Sequence, residues 1–244
     1  EIAQCLVGSE MCIRDRGLSD EFIERLKKRE AVRIVDSNRP DHSSRMQRIS
    51  TYIFNTQELK IECDEMLLEA GVICYLHTAF CAPWVEDGEL RAVIVESKNG
   101  RQAVLAKFFV DATGDGDLAY RLGIKYWEQE GKQPSTTGAF VTGYSYHSLP
   151  KKILLEHLEE YDLPILGWDT NFVNAPEIRH LLKTNVYETC LTAEGLTRSE
   201  IEGRRQVRAI MDILERYGDS DRKMTLVGLS SSIGIREGLS LIHI

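Results

Sequence analysis

The chain has 244 residues, of which 43% are hydrophobic, so it can bury a sizeable core in one large domain or two smaller ones. Its 38 acidic residues outnumber the 30 basic residues, and a formal net charge of -8 argues against nucleic acid or an anionic membrane surface as a partner. No apolar run approaches the roughly 18 residues of a membrane span, and no secretion signal opens the chain. We therefore expect a cytoplasmic protein with no nucleic-acid or membrane partner.

Two helices separated by a loop are predicted before Gly71. Ser19 suits the N-cap of the first helix, which should end near Glu30. Residues 36–50 are polar and rich in turn-forming residues, which favours an exposed loop. A second helix is predicted over residues 56–70, because Gly71 then occupies the position after a helix that favours glycine.

A three-stranded antiparallel meander is predicted next. Its strands cover residues 72–86, 89–97 and 101–112, and the dipeptides Asp87-Gly88 and Asn99-Gly100 separate them. Both dipeptides suit the type I′ turns that join neighbouring strands in a hairpin. The last strand is apolar on both faces, as expected where a strand enters the middle of a covered sheet.

The end of that last strand carries the strongest chemical signal. The segment FVDATGDGD, residues 109–117, places small residues where the strand ends, so a bulky ligand could approach the backbone of Ala112, Thr113 and Gly114. Three interpretations compete for it: an ordinary acidic turn, a calcium loop and a flavin site. The spacing of a calcium loop is not matched. The order of helix, apolar strand, meander and then this segment favours the flavin site over the acidic turn.

A second unit is predicted from about Lys125 onward. It contains a strand over residues 138–146, a helix near residues 151–161 and a long helix that ends at Tyr217. The capping-box sequence at residues 197–200 predicts the start of the long helix.

Cysteine and histidine spacing gives no sign of a metal site. The six cysteines, at positions 5, 12, 63, 74, 81 and 190, include no C-x-x-C pair, so neither a zinc ribbon nor an iron–sulfur ferredoxin motif is present. The six histidines include no H-E-x-x-H or similar ligand spacing. We therefore predict no metal ligands in this chain.

Four stretches, taken in order, carry a family resemblance. They are DEMLLEAGVICYLHTAF (64–80), VEDGELRAVIVESKNGRQAVLAKFFVDATGDGDLAYRLG (85–123), LTRSEIEGRRQV (196–207) and IGIREG (233–238). With them, the interior of the chain resembles the FAD-dependent oxidoreductase family that includes heterodisulfide reductase A-like flavoproteins. The resemblance implies an α/β (mixed α+β) fold, in which a partial Rossmann-like FAD-binding domain carries the antiparallel meander and an α+β substrate domain is inserted.

The same resemblance implies domain boundaries. A partial FAD-binding domain would cover residues 17–124, an inserted substrate or cap domain residues 125–224, and residues 225–238 would return to the FAD-binding domain. Residues 1–16 and 239–244 resemble translated sequencing-adapter sequence, so we expect non-native ends that carry no function. Genuine termini are the alternative.

The cofactor-binding residues are likewise implied by the resemblance. In such flavoproteins the backbone at Phe80 pairs with the adenine ring, and the backbone of Ala112, Thr113 and Gly114 approaches the FAD, with Asp115 as a neighbour. The chain contains no G-x-G-x-x-G, the glycine motif that holds the pyrophosphate. We therefore expect the pyrophosphate-binding half of the site to lie outside this sequence, and this polypeptide by itself to be inactive.

The glycine-flanked turn at Arg236 and Glu237 is implied to lie near the flavin. A cation there could stabilise an anionic reduced flavin or a substrate carboxylate, which makes Arg236 the candidate catalytic residue. An ordinary surface ion pair is an equally good interpretation. Asn185 falls where the inserted domain of the family faces its substrate. Residues 228–232 lack the second glycine of the G-x-S-x-G nucleophile elbow, which argues against a hydrolase.

The predicted function is therefore that of an FAD-dependent oxidoreductase. It would transfer hydride or electrons between a small-molecule substrate and an acceptor, with an electron-transfer protein as a further partner. The alternative is a non-catalytic FAD-binding or interaction subunit that kept the fold. Iron–sulfur clusters occur in some relatives, but this chain supplies no cluster ligands.

Overall fold

The computed structural model describes residues 17–35, 51–125, 133–143, 150–164, 168–172, 175–182, 184–218 and 223–235. These residues form two compact units. The meander unit consists of residues 63–125, and the sheet–helix unit consists of residues 17–62 and 133–235. Among the described helices, none is both long and apolar enough to cross a membrane.

Helices and strands are mixed along the chain, and the described strands pair antiparallel. The helices are α1 Gly17–Lys28, α2 Thr56–Glu69, α3 Asp117–Arg121, α4 Pro150–Glu156 and α5 Ala193–Tyr217. The strands are β1 Val32–Val35, β2 Thr51–Phe54, β3 Ala79–Glu86, β4 Glu89–Ser97, β5 Gly100–Leu105, β6 Ala139–Thr142, β7 Trp168–Phe172, β8 Ala175–Leu182 and β9 Thr225–Leu229. This mixture confirms the predicted fold class.

The meander is built as predicted, in the order β3-β4-β5. Asp87 and Gly88 both have positive φ, 51° and 79°, as a type I′ turn requires. The second turn differs from the prediction, because only Gly100 has a positive φ there, at 87°. A turn with a single left-handed glycine therefore closes this hairpin in place of the predicted type I′ turn.

Two strands of the meander are shorter than predicted. Residues 72–78 are irregular, so β3 begins at Ala79, and residues 106–112 are irregular, so β5 ends at Leu105. Both irregular segments are apolar and exposed, with Ile73 at 79%. An apolar strand needs neighbouring strands and covered faces, and neither segment has a partner strand among the described residues.

The end of α2 confirms one prediction. Gly71 has a φ of 69°, and the Val72 N–H donates to the Leu67 carbonyl at 2.9 Å, which is the hydrogen bond of a glycine-terminated helix. The prediction for α1 is wrong at its start. Ser19 lies inside the helix, which already includes Gly17, because serine is tolerated in a first helical turn as well as at the cap.

The long helix α5 also starts earlier than predicted. Thr192 is its N-cap, and the Thr192 hydroxyl accepts a hydrogen bond from the Gly195 N–H at 3.1 Å. The predicted capping box at residues 197–200 is therefore one turn inside the helix. There the Thr197 hydroxyl donates to the Ala193 carbonyl at 2.7 Å instead of capping an amide.

A four-stranded sheet in the order β7-β8-β6-β9 and helices α4 and α5 form the core of the sheet–helix unit. The buried cluster consists of Ala139, Val141, Leu154, Leu163, Leu181, Val207, Ala209, Ile210, Met211, Ile213, Leu214 and Met224. Gly203 on α5 allows close packing, since a Cβ atom there would overlap the Thr137 hydroxyl oxygen.

The boundaries of the meander unit and the sheet–helix unit differ from those of the predicted functional domains. Strand β9, predicted to return to the FAD-binding domain, pairs with β6 in the sheet of the predicted inserted domain. Residues 17–62 likewise group with residues 133–235. The assignment of residues 17–124 and 125–224 to FAD-binding and substrate domains stays a prediction.

Candidate functional site

Residues 111–116, which we call the acidic turn, link the irregular apolar segment after β5 to helix α3. The two glycines of the turn have left-handed backbone conformations, with φ of 89° at Gly114 and 72° at Gly116. L-amino acids other than glycine rarely adopt this conformation, so the two glycines allow the chain to reverse within a few residues. The acidic turn belongs entirely to the meander unit.

Asp111 lies at the centre of the turn's hydrogen bonds. One carboxylate oxygen accepts from the Thr113 N–H at 3.1 Å and from the Thr113 hydroxyl at 2.7 Å. The other oxygen accepts from the Ala119 N–H at 3.0 Å, in the first turn of α3. The Thr113 hydroxyl in turn accepts from the Asp117 N–H at 2.9 Å. Two side chains therefore bind the start of the turn to the start of the helix.

The remaining amides of the turn stay available to a ligand. Within the described residues, the N–H groups of Gly114, Asp115 and Gly116 donate to no protein acceptor. A Cβ atom placed on Gly114 would meet no atom within 4 Å, and Ala112 and Thr113 are exposed. The turn thus combines open space with unpaired backbone donors.

The carboxylates of the turn differ in their electrostatic surroundings. Desolvation by itself would raise the pKa of Asp111, but the hydrogen bonds from Ala119 and Thr113 outweigh it and hold that pKa below its ordinary value. Desolvation, together with the neighbouring charge of Asp117, raises the pKa of Asp115. Asp111 is therefore a firmly ionised acceptor, whereas Asp115 takes up a proton more readily than an ordinary aspartate.

The charge of the turn indicates which ligand groups it suits. Three carboxylates within seven residues would repel a phosphate group. Unpaired amides and carboxylate oxygens are instead suited to neutral carbonyl and hydroxyl groups. Among the described residues, no group of three or more His, Cys, Asp and Glu side chains is placed to hold a metal ion.

Phe80 lies in β3, within the same unit as the acidic turn, and is half-buried. The guanidinium carbon of Arg121, the last residue of α3, lies 5.8 Å from the centre of the Phe80 ring. The helix that follows the turn therefore reaches Phe80. Arg121 was not singled out from the sequence.

A family model described as FAD dependent oxidoreductase matches residues 10–241. The chain belongs to the FAD-dependent oxidoreductase family. This confirms the family predicted from the four stretches. No curated protein and no solved structure matches the chain.

For a member of this family, the acidic turn fits the cofactor in three respects. Its backbone is exposed at Ala112, Thr113 and Gly114, Gly114 leaves space for a ligand, and consecutive amides lack protein partners among the described residues. FAD contains a neutral ring system with carbonyl groups and a chain of hydroxyl groups that such amides could bind. The fit concerns these neutral parts of FAD and not its diphosphate.

Two further residues, Asn185 and Arg236, were candidates from the sequence. Asn185 lies in the sheet–helix unit, where its N–H donates to Gln206 at 2.9 Å and its carbonyl accepts from Gln206 at 3.0 Å. These bonds fix the Asn185 backbone to the buried face of α5. Arg236 and Glu237 lie outside the described residues, so Arg236 stays a prediction.

Proposed function

We propose that this chain is part of an FAD-dependent oxidoreductase that moves hydride or electrons between a small-molecule substrate and an acceptor. The observation that carries the proposal is the acidic turn, whose open backbone and unpaired amides lie in a chain of the FAD-dependent oxidoreductase family. FAD, when bound, supplies the redox chemistry, and the protein binds and orients it. Kinship with heterodisulfide reductase A-like flavoproteins belongs to the same proposal and is supported by the four matching stretches.

The residues proposed to hold FAD are those of the meander unit. Ala112, Thr113 and Gly114 present their backbone to the cofactor, Asp115 lies beside it, and the Phe80 backbone pairs with the adenine. An electron-transfer protein is the proposed second partner, and a cytoplasmic location is proposed from the composition. No iron–sulfur cluster is included.

The experiment compares two glycines that have similar backbone conformations and similar open space around them. Gly114 and Gly100 have φ of 89° and 87°, and a Cβ atom would meet nothing within 4 Å at either position. Gly114→Ala and Gly100→Ala therefore add similar backbone strain, of roughly 1–2 kcal/mol. We expect Gly114→Ala to raise the Kd for FAD by about ten-fold or more, the equivalent of one lost hydrogen bond and its space, whereas Gly100→Ala leaves the Kd unchanged.

Binding is measured by the quenching of FAD fluorescence on titration with the purified chain. Two variants with the same Kd would refute the proposed site. A protein that holds FAD but cannot be reduced by light with an artificial donor would favour the non-catalytic FAD-binding subunit.

A further inference from the structure

The acidic turn has few means of holding its shape other than Asp111. Gly114 and Gly116 are the least restrained residues of the backbone, and residues 112–114 of the turn are exposed. Burial therefore contributes little to its conformation. The three hydrogen bonds to the Asp111 carboxylate and the one from Asp117 to Thr113 are what connect its two ends.

We propose that Asp111 is the positioning residue of the acidic turn: its carboxylate holds the backbone of residues 112–116 in the conformation that binds FAD. This inference rests on the proposed function. Asp111 acts through Thr113 and Ala119, since each of its oxygens accepts from one of these two residues. By engaging these neighbours, it leaves the amides of residues 114–116 for the ligand.

The neighbouring carboxylates provide the comparison that isolates this role. Among the described residues, neither the Asp115 nor the Asp117 side chain makes a hydrogen bond or an ion pair. Asp117 is exposed and lies only six residues from Asp111, so Asp117→Asn removes the same charge at the start of the helix that follows the turn. Asp111→Asn keeps the size of the side chain but replaces one acceptor oxygen with a donor.

The first measurement needs no cofactor. Amide hydrogen exchange of Thr113 and Ala119 reports directly on the bonds to Asp111, since an amide that loses its acceptor exchanges faster. Because asparagine keeps one acceptor oxygen, we expect Asp111→Asn to accelerate exchange by about ten-fold or more at whichever of the two amides faces the new NH2 group. Asp117→Asn should leave both rates close to wild type.

The second measurement is the Kd for FAD of the same proteins. Asp111→Asn should raise this Kd by about ten-fold or more. Asp117→Asn should change the Kd by less than about two-fold, since the Asp117 side chain makes no hydrogen bond among the described residues. Two variants of Thr113 provide a second test of the same hydrogen bonds. Thr113→Ser keeps the hydroxyl and should bind FAD more tightly than Thr113→Val, which removes it, and this pair tests the bond even if Asp111→Asn fails to fold.

The outcomes separate this inference from the proposed function. If Asp111→Asn matches Asp117→Asn in exchange, or in FAD affinity, Asp111 is not the positioning residue. If Gly114→Ala binds FAD as tightly as Gly100→Ala, the proposed site fails, and amide exchange at Thr113 and Ala119 still decides whether Asp111 holds the turn. A purely structural residue would lower the thermal unfolding temperature of the chain without changing the FAD affinity of the folded protein.

Discussion

The meander unit and the sheet–helix unit cover their apolar side chains to very different degrees. Of the 24 large hydrophobic side chains that are exposed among the described residues, 14 lie in the meander unit, and Phe108 and Val110 are both 88% exposed. The sheet–helix unit contains 17 of the 20 buried hydrophobic residues in the same part of the chain. A meander of neighbouring strands can therefore form by local pairing alone, whereas a core needs a helix such as α5 that lays many side chains against a sheet.

This difference bears on how the acidic turn is held in its conformation. It lies in the unit with little buried core, and its two ends are connected by hydrogen bonds that the Asp111 carboxylate and the Thr113 hydroxyl accept. The polar groups of the sheet–helix unit are instead held by surroundings that are already packed, as for Gln206, which is 2% exposed and binds the Asn185 backbone.

Two leucine truncations test whether the two units differ in their buried cores. Leu214 on α5 is 1% exposed, and Leu105 at the end of β5 is 76% exposed. Leu214→Ala should lower the free energy of unfolding by about 2–5 kcal/mol, because it removes buried contacts and leaves a cavity. Leu105→Ala should change it by less than about 0.5 kcal/mol. Urea denaturation followed by far-ultraviolet circular dichroism measures both, and equal losses would mean that the meander unit has a core of its own.

A smaller effect is expected where α5 approaches the strand segment before β6. Gly203→Ala would place its Cβ atom against the Thr137 hydroxyl oxygen, closer than van der Waals contact allows. Overpacking of this kind costs roughly 1–3 kcal/mol, which should outweigh the gain of about 1 kcal/mol from replacing glycine in a helix.

A double-mutant cycle identifies the cause of that loss. Thr137→Ala removes the oxygen that is closest to the new methyl group, and this oxygen has no hydrogen-bond partner among the described residues. The two changes together should therefore cost less than the sum of the separate changes in the same urea experiment. Strictly additive costs would show that the close approach at Gly203 is relieved elsewhere.

The parts of the fold that could be predicted from sequence are those set by adjacent residues. Asp87-Gly88 and Gly71 confirm their predictions, since the backbone conformation of a tight turn or a helix end depends on a few neighbours. The strands predicted to include residues 72–78 and 106–112 are wrong for the opposite reason. An apolar run indicates that a segment could be a strand, but pairing depends on partners that lie elsewhere in the chain.

The candidate site shows the same limit. Residues 112–114 could be singled out because small residues at the end of an apolar run suit a ligand. The role of Asp111 could not, because its acceptor position depends on Ala119, eight residues further on, folding back to within 3.0 Å. The contact between Arg121 and Phe80 joins residues that are forty-one positions apart and depends on how α3 lies against β3.

The smallest expected effect is on thermal stability at acidic pH, and it depends on the hydrogen bonds of Glu160. Glu160 follows α4 and accepts hydrogen bonds from the Tyr217 hydroxyl at the end of α5, at 3.0 Å to each oxygen, and from His157 at 3.0 Å. The charged pairs of the meander, Arg91–Glu89 and Arg101–Glu96, join residues only two and five positions apart. An acid-sensitive tie between the segment after α4 and the end of α5 is thus a feature of the sheet–helix unit.

The bond from Tyr217, then the one from His157, holds the pKa of Glu160 below its ordinary value. Its contribution to stability is therefore complete above the pKa of an unfolded glutamate and is lost as the pH falls through the lower, folded-state pKa. Glu160→Gln should flatten the fall in thermal unfolding temperature over that acidic range. Glu159→Gln, next to it and without a side-chain hydrogen bond among the described residues, should not. Parallel curves for wild type and Glu160→Gln would show that solvent already screens this tie, and the two units would then differ in apolar burial but not in their response to acid.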